Sequence, residues 1–289
     1  MNQAHEFVAD LHLHSTASDG ELNPDSLVDA AKEAGLAAMA ITDHDTVSGI
    51  QAALKRGQER GIEVVPGCEL TAYAGETELH ILGLFIDPSA ESAVSRLVEQ
   101  IRRRRPERVL AITAKLRAAG VDLLDEEVLA ETRKTKSPGR AHIAAALVRK
   151  GLVQDVEDAF DRYLDPGRPG YIQKFKFSPE VIITTIHESR GLAILAHPGR
   201  YLQPDLVRLL FAAGLDGVEI NHHSHTPEDR VLYEKLALEH EKCTSGGSDF
   251  HGPRMKPGIH IRDFGATASM FAQLKKRALE VRGKSDQSL

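Results

Sequence analysis

From Phe7 to Ile86 short apolar runs alternate with amphipathic stretches. Phe7-Val8-Ala9 leads into Asp10-Leu11-His12-Leu13-His14-Ser15, where polar and apolar residues alternate. The stretch from Phe7 to Ser15 therefore predicts a strand whose period of two puts His12 and His14 on the same side. Pro24 to Ala34 reads as a helix, with Asn23 as its cap and Gly35 as its stop. Leu36 to Thr42 is a continuous apolar run, as expected of a parallel strand covered on both faces. A second helix is expected from about Thr46 to Arg60, and further strands over Ile62–Leu70 and Glu78–Ile86. Strand–helix alternation with short connections points to a parallel α/β architecture.

The period breaks between residues 90 and 170, where helical patterns follow one another without a convincing strand. Arg102-Arg103-Arg104-Arg105 lies in an amphipathic helix expected to continue past Pro106, and reads better as a solvated face than as a binding patch. Leu123–Thr132, Arg140–Lys150 and Val153–Tyr163 are further predicted helices. The alternation resumes at Ser178-Pro179-Glu180, a strong helix start. Strands are expected over Leu192–His197, Gly217–Asn221 and Cys243–Asp249, with helices over Pro204–Ala213, Pro227–Glu241 and Thr267–Val281. That makes seven barrel strands and no internal repeat. The expected organisation is an α/β barrel domain from 1–89 and 171–289 carrying a helical insertion domain at 90–170.

Composition narrows the class. With 42% hydrophobic and 27% charged residues in 289, the chain can bury a core without outside help. Two cysteines, Cys68 and Cys243, argue against a disulfide scaffold and suit a reducing cytoplasm. No apolar run has the length of a membrane helix, and the N-terminus lacks a signal pattern, so a cytoplasmic location is expected. A net charge of −6 disfavours broad binding to long nucleic acid while permitting a local basic pocket. The unusual figure is 14 histidines.

Their positions give the candidate chemistry. The first strand ends on His12 and His14, with Asp19 just beyond. The second ends on Asp43-His44-Asp45 and the third on Glu69; the fourth carries His80 and the fifth His197. Asn221-His222-His223 follow the sixth strand, and Asp249 and His251 the seventh. Strand C-terminal ends of a parallel barrel share one face, where active sites form. Imidazole and carboxylate without a cysteine cluster suit Mn²⁺, Fe²⁺ or Zn²⁺, whereas an all-oxygen site suits Mg²⁺. These donors are too many for one ion taking about four to six ligands, so two or three divalent ions are expected. Ions grouped in this way serve phosphoryl hydrolysis, stabilising both attacking and leaving oxygens. No phosphate-binding Gly-rich loop, nucleophile elbow or dinucleotide fingerprint stands in a convincing place.

The motifs Asp10-Leu-His-Leu-His-Ser-x-x-Ser-Asp-Gly20, Ile41-Thr-Asp-His-Asp45, Pro66-Gly-Cys-Glu69, Leu79-His80, Ala196-His-Pro198 and Gly247-Ser-Asp-Phe-His251 resemble the PHP (polymerase and histidinol phosphatase) phosphoesterases. The resemblance covers nearly the whole chain outside the helical insert. It implies a distorted (β/α)7 TIM-like barrel and up to three metals. By motif, His12, His14, Glu69 and Asp249 would hold one metal. Glu69, His80 and His197 would hold a second, and Asp19, His44 and His251 a third. Asp43 and Asp45 default to supporting or capping roles, and Cys68 to strand packing.

The insert and Asn221-His-His-Ser-His-Thr-Pro-Glu-Asp229 are similar to the branch holding 3′,5′-nucleotide bisphosphate phosphatases and 5′→3′ exoribonucleases on short RNA. The resemblance implies removal of a phosphate from 3′,5′-bisphosphonucleotides by in-line attack of a metal-bound hydroxide. The partner is then a small phosphorylated nucleotide or a short RNA 5′ end. Ser137, Arg140, His142, Lys174 and Asn221 are candidates for the substrate, although Ser137 can equally cap the following helix with Arg140 and His142 covering its surface. Arg200 would clamp a phosphate, and His223 would protonate the leaving oxygen, with His222 and His225 as competitors for that role. Histidinol-phosphate phosphatase, a metal-dependent C–N hydrolase and a non-catalytic metal-binding module are the alternatives.

Overall fold

The computed structural model describes residues 7–132, 139–172, 176–199 and 202–285. The chain divides into two compact units, Met1–Val98 with Lys176–Leu289, and Glu99–Phe175. Pattern alone placed that division at 90 and 170.

The first unit begins with β1 (Phe7–Asp10), α1 (Pro24–Glu33), β2 (Ala38–Ile41) and α2 (Ile50–Arg60). Asn23 Oδ1 accepts the Ser26 N–H at 2.9 Å and starts α1. Gly61, at φ +64°, closes α2 in the left-handed conformation. All four residues of β2 are buried, as its unbroken apolar run requires. β2 pairs in parallel with β1 and with β3 (Glu63–Ala74).

β4 (Thr77–Leu84) corrects the all-parallel expectation. It runs antiparallel to β3, from Gly67 opposite Leu84 to Ala74 opposite Thr77, through a two-residue turn at Gly75-Glu76. Gly75 supplies φ +62°, which such hairpin turns favour and which a side chain would resist. The third strand thus runs on to Ala74, where pattern ended it at Leu70. The helices α3 (Ala93–Ala118), α4 (Asp125–Thr132), α5 (Arg140–Arg149) and α6 (Val156–Ala159) follow. α3 continues through Pro106 as expected, and α6 runs into a π-helical turn at Phe160–Leu164. The second unit has its own apolar core, including Ile112, Leu116, Leu123, Ile143, Leu147 and Leu164.

The first unit then resumes with α7 (Pro179–Glu188), β5 (Leu192–Leu195), α8 (Pro204–Ala212) and β6 (Gly217–Asn221). After them come α9 (Pro227–Glu239), β7 (Cys243–Gly246), β8 (Ala266–Thr267) and α10 (Ala268–Ser285). β5 is antiparallel to β4 and parallel to β6, which is parallel to β7. The sheet order is β7-β6-β5-β4-β3-β2-β1-β8, with the short β8 antiparallel to β1. Beyond its regular part, β1 meets the end of β7: Leu11 N–H donates to Gly246 O (3.2 Å), Asp249 N–H to His12 O (2.8 Å) and His14 N–H to Phe250 O (3.1 Å). These bonds close a distorted seven-stranded barrel, and they do so at the level of the candidate ligands.

Asp216, just before β6, ties the opposite end together. Its Oδ2 lies 2.7 Å from His187 Nε2 and accepts the Ala193 N–H at 3.0 Å, while Arg277 Nε donates to Oδ1 at 3.1 Å. Burial pushes this carboxyl up, but the His187 hydrogen bond, with Ala193 and Arg277, outweighs it and holds the group below its ordinary 3.8. An ionised Asp216 therefore favours the fold above pH 3.8, and that advantage is lost as the pH falls through the lower folded value. Because His187 and Arg277 are each about a third exposed, Asp216→Asn is expected to cost about 2 to 3 kcal/mol at neutral pH. Thermal unfolding followed against pH should show the gap between wild type and variant closing only below about pH 3.8.

Candidate metal centre

Every ligand-type residue at the closed end arrives by a definite piece of backbone. His12 and His14 alternate along the extension of β1 and are fully buried. His44 follows β2, and a parallel bridge joins it to Glu69 within β3. His80 sits near the start of β4, and because β4 runs backwards, that start lies on the same face as the ends of its neighbours. His197 and Asp249 have positive φ, +25° and +55°, a conformation that costs a non-glycine residue energy and persists only where neighbours enforce it. The enforcing bonds are visible: His197 N–H donates to Glu219 Oε2 (2.9 Å), Ala196 N–H to His80 O (3.0 Å) and Gly199 N–H to His225 Nε2 (3.0 Å).

Glu69 stands at the middle, with no exposed surface. Its Oε2 faces His12 Nε2 (3.1 Å), His14 Nε2 (3.2 Å) and His44 Nδ1 (3.2 Å). Its Oε1 faces a separate pair, His80 Nδ1 (2.9 Å) and His197 Nε2 (3.1 Å). Asp249 is divided in the same way. Oδ1 lies 3.5, 3.2 and 3.3 Å from His12 Nε2, His14 Nε2 and His251 Nδ1, and Oδ2 faces His222, His223 and Lys256. Asp19 reaches His14 Nδ1 (3.6 Å), His251 Nε2 (3.4 Å) and His44 Nε2 (3.9 Å) from the loop after β1.

These contacts fit a cation better than they fit hydrogen bonds. Both ring nitrogens of His14 and Nδ1 of His80 are buried without a hydrogen-bond partner, although carboxylate oxygens stand close by. Donors about 2.1 Å from one divalent ion stand about 3 Å from one another, which is the spacing seen here. Sets whose donor atoms could share an ion include His14/Asp19/His44/His251, His12/His14/Asp249, His12/Glu69/His197 and His44/Glu69/His80. The centre can therefore hold one or more divalent metals.

Its electrostatics agree. Burial pushes the Glu69 and Asp249 carboxyls up, but the surrounding imidazoles, His12 foremost, hold both well below the usual carboxylate range. Burial pushes His44 down to about 4. It acts on His12 and His80 too, yet their carboxylates outweigh it, raising His12 well above its ordinary value and His80 to about 10. The carboxylates thus demand positive charge, which bound divalent ions would supply.

Two further buried residues complete the ring, Glu219, which pattern did not single out, and His222, which it left unranked beside His223 and His225. Glu219 lies fully buried on β6, its Oε1 3.3 Å from His12 Nδ1. An ionised carboxylate only accepts, so Glu219 keeps a proton on Nδ1 and turns His12 Nε2 toward Glu69 and Asp249. A lone carboxylate inside the apolar run Gly-Val-Glu-Ile-Asn was the available signal. His222 is the second: Ser224 N–H donates to its Nδ1 at 3.1 Å, so the neutral ring carries its proton on Nε2, which donates to Asp249 Oδ2 at 3.4 Å. Burial pushes His222 down to about 4, consistent with that neutral form.

The remaining candidates fall as follows. His223 Nε2 is buried, without a hydrogen-bond partner, and 3.9 Å from Asp249 Oδ2. His225 is turned elsewhere, between Ile220 O and Gly199 N–H. The Asn221 amide donates to Gly265 O at 3.0 Å and so joins β6 to the segment before β8. Asp43 accepts from Ser15 N–H (2.8 Å) and Ser18 Oγ (2.7 Å), fixing the loop that carries Asp19. Cys68 is buried in β3, its Sγ 3.5 Å from Asp43 O. In the helical unit, Arg140 donates to Leu164 O (3.1 Å), pairs with Asp165 (3.6 Å) and lies over the Phe160 ring, while His142 Nδ1 accepts the Gly139 N–H at 3.2 Å. Ser137, Lys174 and Arg200 lie outside the described residues.

The chain belongs to the PHP domain family, whose pattern its residues 10–169 match. It is similar to the 3′,5′-nucleoside bisphosphate phosphatase of Chromobacterium violaceum, 36% identical over 269 residues, covering 90% of this chain and 92% of that protein. It is also 36% identical to the 5′-3′ exoribonuclease Rnm of Salmonella typhimurium, over 85% of this chain and 86% of the relative. Among solved structures, a putative metal-dependent phosphoesterase from Bifidobacterium adolescentis superposes with a TM-score of 0.74 at 30% identity, covering 93% of this chain and 96% of that one.

Replacing a carboxylate that orients a ligating histidine typically weakens metal binding by about 10- to 100-fold. Glu219→Gln is expected to show a loss of that size in titration calorimetry with Mn²⁺, its fold being checked by circular dichroism.

Proposed function

We propose that the metal-dependent phosphoester hydrolysis performed by this chain is directed at 3′,5′-bisphosphonucleotides, such as adenosine 3′,5′-bisphosphate going to AMP. One observation carries the chemistry: the two oxygens of Glu69 face different imidazole sets, His12, His14 and His44 on one side and His80 and His197 on the other. A carboxylate so placed suits a bridge between neighbouring ions. The reading assigns His12, His14, Glu69 and Asp249 to one ion, Glu69, His80 and His197 to a second, and Asp19, His44 and His251 to a third. Manganese is the favoured metal, with Fe²⁺, Zn²⁺ and Mg²⁺ also compatible with two or three such sites. Bound there, divalent ions lower the pKa of water and offset charge on phosphoryl oxygens.

The chain's own groups supply the rest. A cleft of about 210 Å³ beside the centre is lined by residues including Glu78, His80, His197 and Pro198; it gives a phosphoester access to Glu69's second histidine pair. His223, its Nε2 buried and unpartnered yet the side chain 27% exposed, holds the proton for the leaving oxygen. Arg200, three residues after His197, would clamp a phosphate. The bisphosphate substrate is supported by the Chromobacterium violaceum relative, aligned over most of both chains. A short 5′-phosphorylated RNA is the second reading, supported by the Salmonella relative at the same identity.

Initial rates of phosphate release on adenosine 3′,5′-bisphosphate, short 5′-phosphorylated RNA and histidinol phosphate test the assignment, with the bisphosphate expected to be hydrolysed fastest. Chelation should abolish turnover and added Mn²⁺ restore it; activity that survives complete metal removal would contradict the reading. His223→Ala should lower kcat on the nucleotide by about 10²- to 10⁴-fold. The loss should be much smaller on p-nitrophenyl phosphate, whose leaving group needs no proton.

A further inference from the structure

Asp249 offers its two oxygens to different neighbours. Oδ1 is turned to His12, His14 and His251. Oδ2 takes hydrogen bonds from the protein itself, from His222 Nε2 and from the ammonium of Lys256. Oδ1 is therefore the oxygen that would be offered to an ion, which would leave Oδ2 to Lys256. Lys256 is 30% exposed against 8% for Asp249, so its ammonium stands at the border between the centre and solvent, on the side of His223. An ammonium has three donors. Asp249 occupies one, and the other two have no partner among the described residues.

The backbone under Lys256 is fastened at both ends. Glu21, from the loop that carries Asp19, donates its N–H to His251 O at 2.7 Å. Its carboxylate accepts from Arg254 N–H (2.7 Å), Met255 N–H (2.8 Å) and Arg254 Nε (2.9 Å). Gly252, at φ +114°, allows this approach, since a Cβ there would stand 2.6 Å from the Glu21 side chain. Lys256 N–H closes the turn on Gly252 O at 3.0 Å. Beyond it, Arg262 is held by Asp10 Oδ2, Phe7 O and Ala34 O. A lysine at a flexible surface site would not need such anchoring, and here the anchoring elements are those that carry the Asp19 and His251 ligands.

We infer that Lys256 binds the substrate's phosphoryl group, with Asp249 Oδ2 and the Glu21-clamped turn holding its ammonium in position beside His223. The inference rests on the phosphoesterase reading and adds to it a cation that belongs to the protein. A phosphate monoester dianion presents more oxygens than the ions need to take, and a fixed ammonium with two open donors can accept one.

The test compares wild type, Lys256→Met and Lys256→Arg, each loaded with Mn²⁺. Inorganic phosphate is titrated by calorimetry, metal content is measured by mass spectrometry, and kcat and KM are determined on p-nitrophenyl phosphate. The expected result is a loss of phosphate affinity of at least tenfold in Lys256→Met, matched by a rise in KM. Metal content and melting temperature should stay unchanged, and Lys256→Arg should recover most of the affinity. Equal phosphate affinity in Lys256→Met and wild type overturns the assignment. So does a loss of metal that accounts for the weaker phosphate binding, which would make Lys256 a counter-ion to Asp249. A wild-type protein that turns over no phosphoester in any metal overturns the phosphoesterase reading itself, and is recognised separately because the wild type then fails alone.

Discussion

A carboxylate with no exposed surface is a liability unless positive charge surrounds it, and Glu69 makes that demand at the middle of the barrel. Five imidazoles, from the extension of β1, from β4 and from the segments after β2 and β5, answer it. Meeting the demand decides much else. β1 must extend past its regular pairing far enough to present two histidines, and the chain after β7 must lie against that extension to bring in Asp249 and His251. His197 and Asp249 must hold unfavourable backbone angles, so their neighbours must hydrogen-bond them there. The barrel's closure and its ligand cluster are built from the same few residues.

The two ends of the barrel use charge in different ways. Around Asp216 the charges are satisfied internally: one carboxylate receives an imidazole, a backbone N–H and a guanidinium, and nothing is left over. Around Glu69 and Asp249 some contacts are hydrogen bonds and others are only close, and His14 and His223 keep ring nitrogens without partners. Completed hydrogen bonds mark a group that stabilises the fold. Incomplete ones in a buried polar cluster mark a place prepared for something else, and family membership agrees with that distinction.

The clustering of the candidate ligands was legible in the sequence because most of them follow or end an apolar run, so residue type and position could be read together. Three things were not. The reversal of β4 hides in a two-residue turn, and a short apolar run reads the same in either direction; His80 was located by type, while its place at the start of its strand needed the pairing. Glu219 sits inside a buried strand, where alternation reports which face a residue occupies and says nothing of what it meets there. The choice among His222, His223 and His225 depended on the bends after β6. Ser224 N–H fixes the first ring, Gly199 N–H and Ile220 O take the third, and His223 is left facing Asp249. Periodicity carries no information about such bends.

The centre joins residues 12 and 14 to residues 249 and 251, so its contacts span nearly the full chain. On a ribosome adding about 5 to 20 residues each second, His12 and His14 meet Glu69 early but wait more than about ten seconds before Asp249 has been made. Contacts of such long sequence separation also carry a loop-closure cost that slows folding. An ion taking Asp249 among its donors would therefore find its full ligand set only in the closed barrel.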